Sequence, residues 1–349
     1  MLKTLTLALF FAASTLAAQQ PQNPQFGEKV NVNLVLLDAV VTDSHGNQIL
    51  GLDKNDFVVK ENGVDQPVDS VEYFTNRQLL DAPESKAAFK VERVHDQRYF
   101  VFFFDKPQGA QLFDRLSLAR RAAKDFIADL KPTDYVAVVA HDIRLKVYSD
   151  FTNDHAQLNR AIDQTASWGL GITHSNAPAG VPSILRADSD RIVDDTGTVY
   201  QALELLGDQL RPIHARKDIV LFSAGILAPD EQISNRMVVG QSRYYQPMIS
   251  ALNRADVTVY PINLIDATGE PFFMEQNVER IASDTNGQYF RWNTSFAPAL
   301  KQIEKLSAGY YLISYYTKPH SGSGYQKVQV ALKNPEFRVK ARQGYSYGD

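Results

Sequence analysis

The apolar positions divide the chain into a β-rich start, a long block in which strands alternate with helices, and a β-rich end. Residues 30–43 open with the alternation of a half-buried strand, and the cluster Ser44-His45-Gly46-Asn47 ends it as a turn. Residues 56–64 carry Asn62-Gly63, the pair of a tight hairpin, and 66–74 read as the returning strand. A small antiparallel unit is expected here. Residues 78–97 are polar and irregular, and read as a linker.

From residue 98 the period changes. Strands are predicted over 98–105, 134–141, 145–148, 218–222, 257–262 and 287–292, and helices over 111–130, 154–167, 199–210, 243–254, 273–283 and 296–307. In the first helix Leu112, Leu116, Ala119, Ala123, Phe126 and Ile127 fall on one face. Such alternation predicts a mostly parallel sheet covered on both sides. The glycine-, proline- and aspartate-rich stretch 168–196 is too long for an ordinary connection and reads as functional or disordered. Strands over 310–316, 326–332 and 337–341 close the chain. The expected fold class is α/β: a doubly wound, mostly parallel sheet inserted in a small antiparallel β-sandwich-like module that both chain ends form. The expected divisions are 30–77 for the N-terminal β module, 97–308 for the α/β domain, and 309–349 for the C-terminal strands that pack back on the first module.

The 349 residues suffice for a large core, and 44% apolar with 22% charged residues is the composition of an ordinary folded protein. A net charge of −4 and no lysine or arginine cluster argue against nucleic acid as a partner. The pair Arg120-Arg121 reads as a solvated helix face. Residues 1–18 have the form of a signal peptide: Met1-Leu2-Lys3, an apolar run over 5–13, and small residues that place cleavage after Ala17 or Ala18. That run is too short to span a bilayer, and no other stretch approaches about twenty apolar residues, so no membrane span is expected. Residues 19–29 are a polar, proline-bearing spacer, expected to be disordered. The absence of cysteine excludes disulfides, thiolate metal sites and cysteine nucleophiles. An exported bacterial protein, periplasmic or secreted, is the expectation.

Several segments together resemble the von Willebrand factor type A domain, in the exported form common in acidobacteria. They are the strand ending on Asp105, the helix opening Gly197-Thr198-Val199-Tyr200, the run Asp218-Ile219-Val220-Leu221-Phe222-Ser223-Ala224-Gly225, the stretch Ile281-Ala282-Ser283-Asp284, and the closing Arg342-Gln343-Gly344-Tyr345. Leu52-Asp53-Lys54-Asn55-Asp56-Phe57 is similar to that group's opening β module. The resemblance covers nearly the whole mature chain. It implies a metal-ion-dependent adhesion site at the sheet's upper edge, built from Asp-x-Ser-x-Ser, a threonine and a later aspartate. Asp105 matches the first aspartate and Thr198 the threonine, while Pro107, Gly109 and Ala224 stand where two serines and the later aspartate belong. A hard ion such as Mg²⁺ wants near-octahedral oxygen ligands, so the site is expected to be degenerate, with Asp105 and Thr198 as residual ligands at most. Asp142, Asp188, Asp190, Asp194 and Asp195 are the loop carboxylates available as substitutes. Capping and loop hydrogen bonds are the competing roles for Asp105 and Thr198.

Other chemistry is thin. The run Asp188-Ser189-Asp190-Arg191 lacks the glycine and distal glutamate of an EF-hand loop, and the seven histidines show no zinc spacing. His141 ends a strand and reads as a satisfied structural residue. Ser223 follows a strand but lacks the Gly-x-Ser-x-Gly elbow and an assigned base. The expected function is non-enzymatic protein binding or adhesion at the sheet's carboxyl-end edge, with no cofactor. The alternatives are a subunit of an envelope assembly, or a hydrolase at the same edge that clustered Ser, His and carboxylate side chains would favour.

Overall fold

A computed structural model describes residues 33–44, 47–75, 97–186, 192, 194–213, 215–234, 237–239, 242–265, 274–291, 294–322 and 324–347. The segments expected to be a signal peptide and spacer, most of the expected linker, and Asp188, Ser189 and Asp190 lie outside the described residues.

Both chain ends supply the antiparallel sheets. One has the order β14-β1-β12-β4, with β1 (Asn33–Thr42), β4 (Val68–Thr75), β12 (Gly309–Thr317) and β14 (Arg338–Ala341). The other has the order β15-β13-β2-β3, with β2 (Phe57–Glu61), β3 (Val64–Gln66), β13 (Gly324–Leu332) and β15 (Gly344–Tyr347). Asn62 and Gly63, both at positive φ, form the predicted tight turn between β2 and β3. Alternate residues of β1 and β12, among them Val35, Leu37, Tyr311 and Ile313, meet Phe57, Val59 and Val328 in one apolar core. Two sheets that share a core in this way make a sandwich.

The central sheet has the order β11-β8-β5-β6-β7. Its strands are β5 (Arg98–Asp105), β6 (Asp134–His141), β7 (Leu145–Thr152), β8 (Arg216–Ser223) and β11 (Val257–Asn263). A short hairpin, β9 (Gln232–Ser234) with β10 (Met237–Val239), stands apart from it. Four strands of the central sheet run parallel and β7 is antiparallel, so the mostly parallel expectation holds. All eight residues of β5 are buried, as a strand covered on both faces requires. Phe100, Phe102 and Phe104 enter the core beneath helices α1 (Gln111–Ala128), α2 (His155–Gln164) and α6 (Ala297–Leu306). Tyr99, Val101 and Phe103 enter the opposite core, under α3 (Val199–Leu210), α4 (Tyr245–Arg254) and α5 (Glu275–Asp284). No helix of the described residues is long and apolar enough to cross a membrane.

Three expectations need correction. The strand over 287–292 shrinks to a single bridge from Phe290 to Ile262. Asn286 turns the chain at positive φ, and Gly287 then lies so close to the β11 backbone that a Cβ would sit 1.8 Å from the Val259 carbonyl oxygen. β7 runs to Thr152 rather than Tyr148, because the Asp150 carboxylate is buried there and accepts hydrogen bonds from Ser175, Ser183 and the Ile184 N–H. Those bonds pin the glycine-rich loop to the sheet. Arg120 is buried rather than solvated: its guanidinium donates to Thr165 and lies over the rings of Phe104 and Trp168.

Candidate functional site

Parallel register assembles a row of polar side chains at the carboxyl end of the central sheet. Asp105 is level with His141 across β5 and β6, and Asn263 with Ser223 across β11 and β8. Phe104 pairs with Phe222, so Asp105 and Ser223 leave adjacent strands at the same height. A cleft of about 190 Å³ opens above the row, lined by the loops after β5, β6 and β8 and by the start of α3. Asp105, His141, Thr198 and Ala224 all line it. The positions that the sequence singles out therefore meet at one edge.

Ser223 Oγ donates to Asp105 Oδ2 at 2.6 Å, and also accepts from the Gly225 N–H at 3.1 Å. Burial pushes the Asp105 carboxyl up to about 7, against the hydrogen bonds from Ser223 and the Lys106 backbone that favour its charged form. His141 Nε2 donates to the Thr196 carbonyl at 3.0 Å, which leaves Nδ1 facing Asp105 Oδ1 at 3.9 Å. Burial holds the His141 imidazole below its ordinary value. A neutral imidazole turned this way presents a lone pair to the carboxyl, so the two groups coexist most easily with Asp105 protonated.

Thr198 caps α3. Its Oγ1 accepts from the Gln201 N–H at 3.2 Å and donates to Gln201 Oε1 at 3.0 Å. Thr198→Ala is expected to lower stability by about 1 kcal/mol, the loss of an N-cap, and by the same amount with EDTA or excess Mg²⁺ in thermal unfolding. Asp142 reaches the cleft rim, yet its carboxylate binds Lys146 Nζ at 2.7 Å. Asp194 and Asp195 are exposed and do not line the cleft.

Side-chain oxygens for a divalent ion are few at these positions. Pro107, Gly109 and Ala224 carry no side-chain oxygen, Asp105 offers one buried carboxyl already bonded to Ser223, and Thr198 is engaged by its helix. Among the described residues no group of three or more histidine or acidic side chains is placed to hold a metal.

Ser223, Asp105 and His141 do cluster, but their order is wrong for an activated nucleophile. The serine hydroxyl donates to the carboxyl and not to an imidazole, and Ser223 is only 2% exposed. From the sequence His141 reads as a structural residue and Ser223 as a strand-end serine without a base; their contact with Asp105 is not evident there. The available signal was the length of the strands: β5, β6 and β8 are each eight residues long and end on Asp105, His141 and Ser223.

No protein-family profile matches the chain, and no curated protein matches it. Solved structures to which it is similar include a von Willebrand factor type A protein from Catenulispora acidiphila, at 11% identity over 92% of this chain and 76% of that one, TM-score 0.39. Another is the vWF domain of the type V pili tip protein Mfa5 from Porphyromonas gingivalis, at 12% identity over 62% of this chain and 95% of that one, TM-score 0.40. A third is an aerotolerance-related membrane protein from Bacteroides fragilis, at 13% identity over 60% of this chain and 97% of that one, TM-score 0.39. Von Willebrand type A structures stand among the chain's structural neighbours.

Proposed function

We propose that this is an exported, periplasmic or secreted binding protein, which recognises a protein partner with the carboxyl-end edge of its central sheet and without a bridging ion. In this reading residues 97–308 are the binding unit, and 30–77 with 309–349 are the module that carries it. The observation that carries the proposal is the exposure of large apolar side chains on loops of this edge. Ile143 in the β6–β7 turn is 73% exposed, Leu170 after α2 is 96% exposed, and Leu227 lines the cleft after β8. Exposed apolar side chains on these loops offer area to a partner that covers them. Beneath these loops Asp105, Ser223, His141 and Thr198 form a satisfied polar layer that holds the edge in shape. The arrangement supplies no accessible nucleophile with a base, so the proposal is non-enzymatic.

The mature chain, immobilised and exposed to an envelope extract of its source cells, is expected to capture the same partner in EDTA and in Mg²⁺. Ile143→Asp and Leu170→Asp are expected to abolish capture while leaving thermal unfolding within about 0.5 kcal/mol of wild type, as for exposed positions elsewhere. Capture that persists in both variants, or that requires Mg²⁺, contradicts the proposal.

A further inference from the structure

A larger cleft, of about 520 Å³, lies at the opposite end of the central sheet, between the amino ends of β5, β8 and β11 and the outer face of the sheet that holds β1, β4 and β12. Its size falls within the range of small-molecule sites, about 300–1,000 Å³. The floor is apolar. Leu36, Phe74 and Leu312 line it from the face opposite the sandwich core that Val35, Leu37 and Ile313 fill, and Leu36 is 55% exposed. The wall carries more cations than acids, with Arg211, Lys217 and Arg254 beside Asp38 and Asp256.

Lys217 is the anomaly. It is 3% exposed, and the one hydrogen bond of its Nζ among the described residues goes to the Ile213 carbonyl at 2.6 Å. An ammonium carries three donors, and a buried cation without a partner is costly. Burial pushes its pKa down to about 8. The other buried cations of this cleft have acids beside them: Arg98 binds Asp134 at 2.6 Å, and Arg216 stands 3.4 Å from Asp218. Asp256, on the rim, instead faces Arg342 at 3.3 Å. Asp256, Asp218 and Asp38 attract the Lys217 charge from beyond ion-pair distance, and no described carboxylate contacts its ammonium.

We propose that this cleft binds an amphipathic anion, its carboxylate or phosphate head on Lys217 and its apolar body on Leu36, Phe74 and Leu312. Arg211 and Arg254 at the mouth favour entry of the negative end. Neither half of the site suffices: the floor gives area without direction, and the lysine gives charge without area. The site is separate from the carboxyl-end edge, and stands or falls independently of the protein-binding reading.

The test is calorimetric titration of the mature chain with decanoate, with decan-1-ol and acetate as the two halves of the ligand. Decanoate is expected to bind at one site, at least about tenfold tighter than either half. Lys217→Met is expected to weaken decanoate about tenfold or more while leaving decan-1-ol unchanged. Leu36→Asp, at an exposed position where misfolding is not expected, should abolish decanoate binding with the thermal unfolding midpoint retained. Sedimentation with phosphatidylglycerol vesicles separates the sources: loss of pelleting in Lys217→Met assigns the head to a lipid, and decanoate binding without pelleting assigns it to a free amphiphile. Absence of decanoate binding and of vesicle binding overturns the proposal, as does equal affinity for decanoate and decan-1-ol, or affinity unaltered in both variants.

Discussion

Asp105→Asn is expected to stabilise the protein at about pH 8 by up to about 4 kcal/mol and to change little at about pH 4. The cause is the burial that lifts the Asp105 carboxyl from 3.8 to about 7. A folded-state value above the unfolded one means that the fold prefers the protonated group. Its stabilising contribution is complete below the unfolded value, declines as pH rises from about 4 to about 7, and is constant beyond. Asparagine keeps the shape, accepts from Ser223 through its carbonyl oxygen, and turns an N–H toward the His141 Nδ1 lone pair. Urea unfolding of both proteins across this range in EDTA measures the difference. A variant less stable than wild type at about pH 8, or a difference that does not vary with pH, would show that the charged carboxylate belongs to the native fold.

The second large effect concerns the far end of β5. Arg98 binds Asp134 through two parallel hydrogen bonds, Nε to Oδ1 at 2.8 Å and Nη2 to Oδ2 at 2.6 Å, and both residues are almost fully buried. The pair ties the first two parallel strands at their amino ends, where Arg98 and Asp134 are in register. Arg98→Leu strands the Asp134 carboxylate with only the Lys131 N–H as a described partner, at 3.0 Å. A loss of about 3–5 kcal/mol is expected, a drop in Tm on the order of 10 °C. Arg98→Leu combined with Asp134→Leu is expected to recover most of it, since two apolar side chains leave no buried charge. Equal instability of the single and double variants would place the loss in packing rather than in the orphaned carboxylate.

The sheet was legible because its strands are nearly continuous apolar runs between amphipathic helices, and β5 could hardly be anything but a covered strand. Sandwich formation by the two ends was legible too, since β-rich segments flank the α/β block and Asn62-Gly63 fixes one hairpin. Less legible were features that depend on contact between distant residues. Nothing local marks Asp150 as the anchor of the loop through Ser175 and Ser183, or Arg120 as a buried cation beneath Trp168. The 287–292 stretch has strand-like composition, yet Asn286 and Gly287 set a close backbone approach that leaves room for one bridge. At the carboxyl-end edge, the individual residues Asp105, His141, Thr198 and Ser223 were all visible in the sequence. Their relation was not: the Ser223–Asp105 bond spans 118 residues, and it emerges only once β5 and β8 are known to be neighbours in register. Lys217 and the cleft at the opposite end were invisible for the same reason, because its floor comes from the two chain ends and its wall from the α/β block.

Asp105 is the residue that the sequence resemblance assigns to an ion and that Ser223 holds by a hydrogen bond. Calorimetric titration of the mature chain with Mg²⁺, Mn²⁺ and Ca²⁺ at about pH 8, alongside Asp105→Ala, addresses that assignment most directly. No saturable heat from any of the three ions is the expected result, with identical traces for the two proteins; micromolar binding that Asp105→Ala abolishes would contradict recognition without a bridging ion.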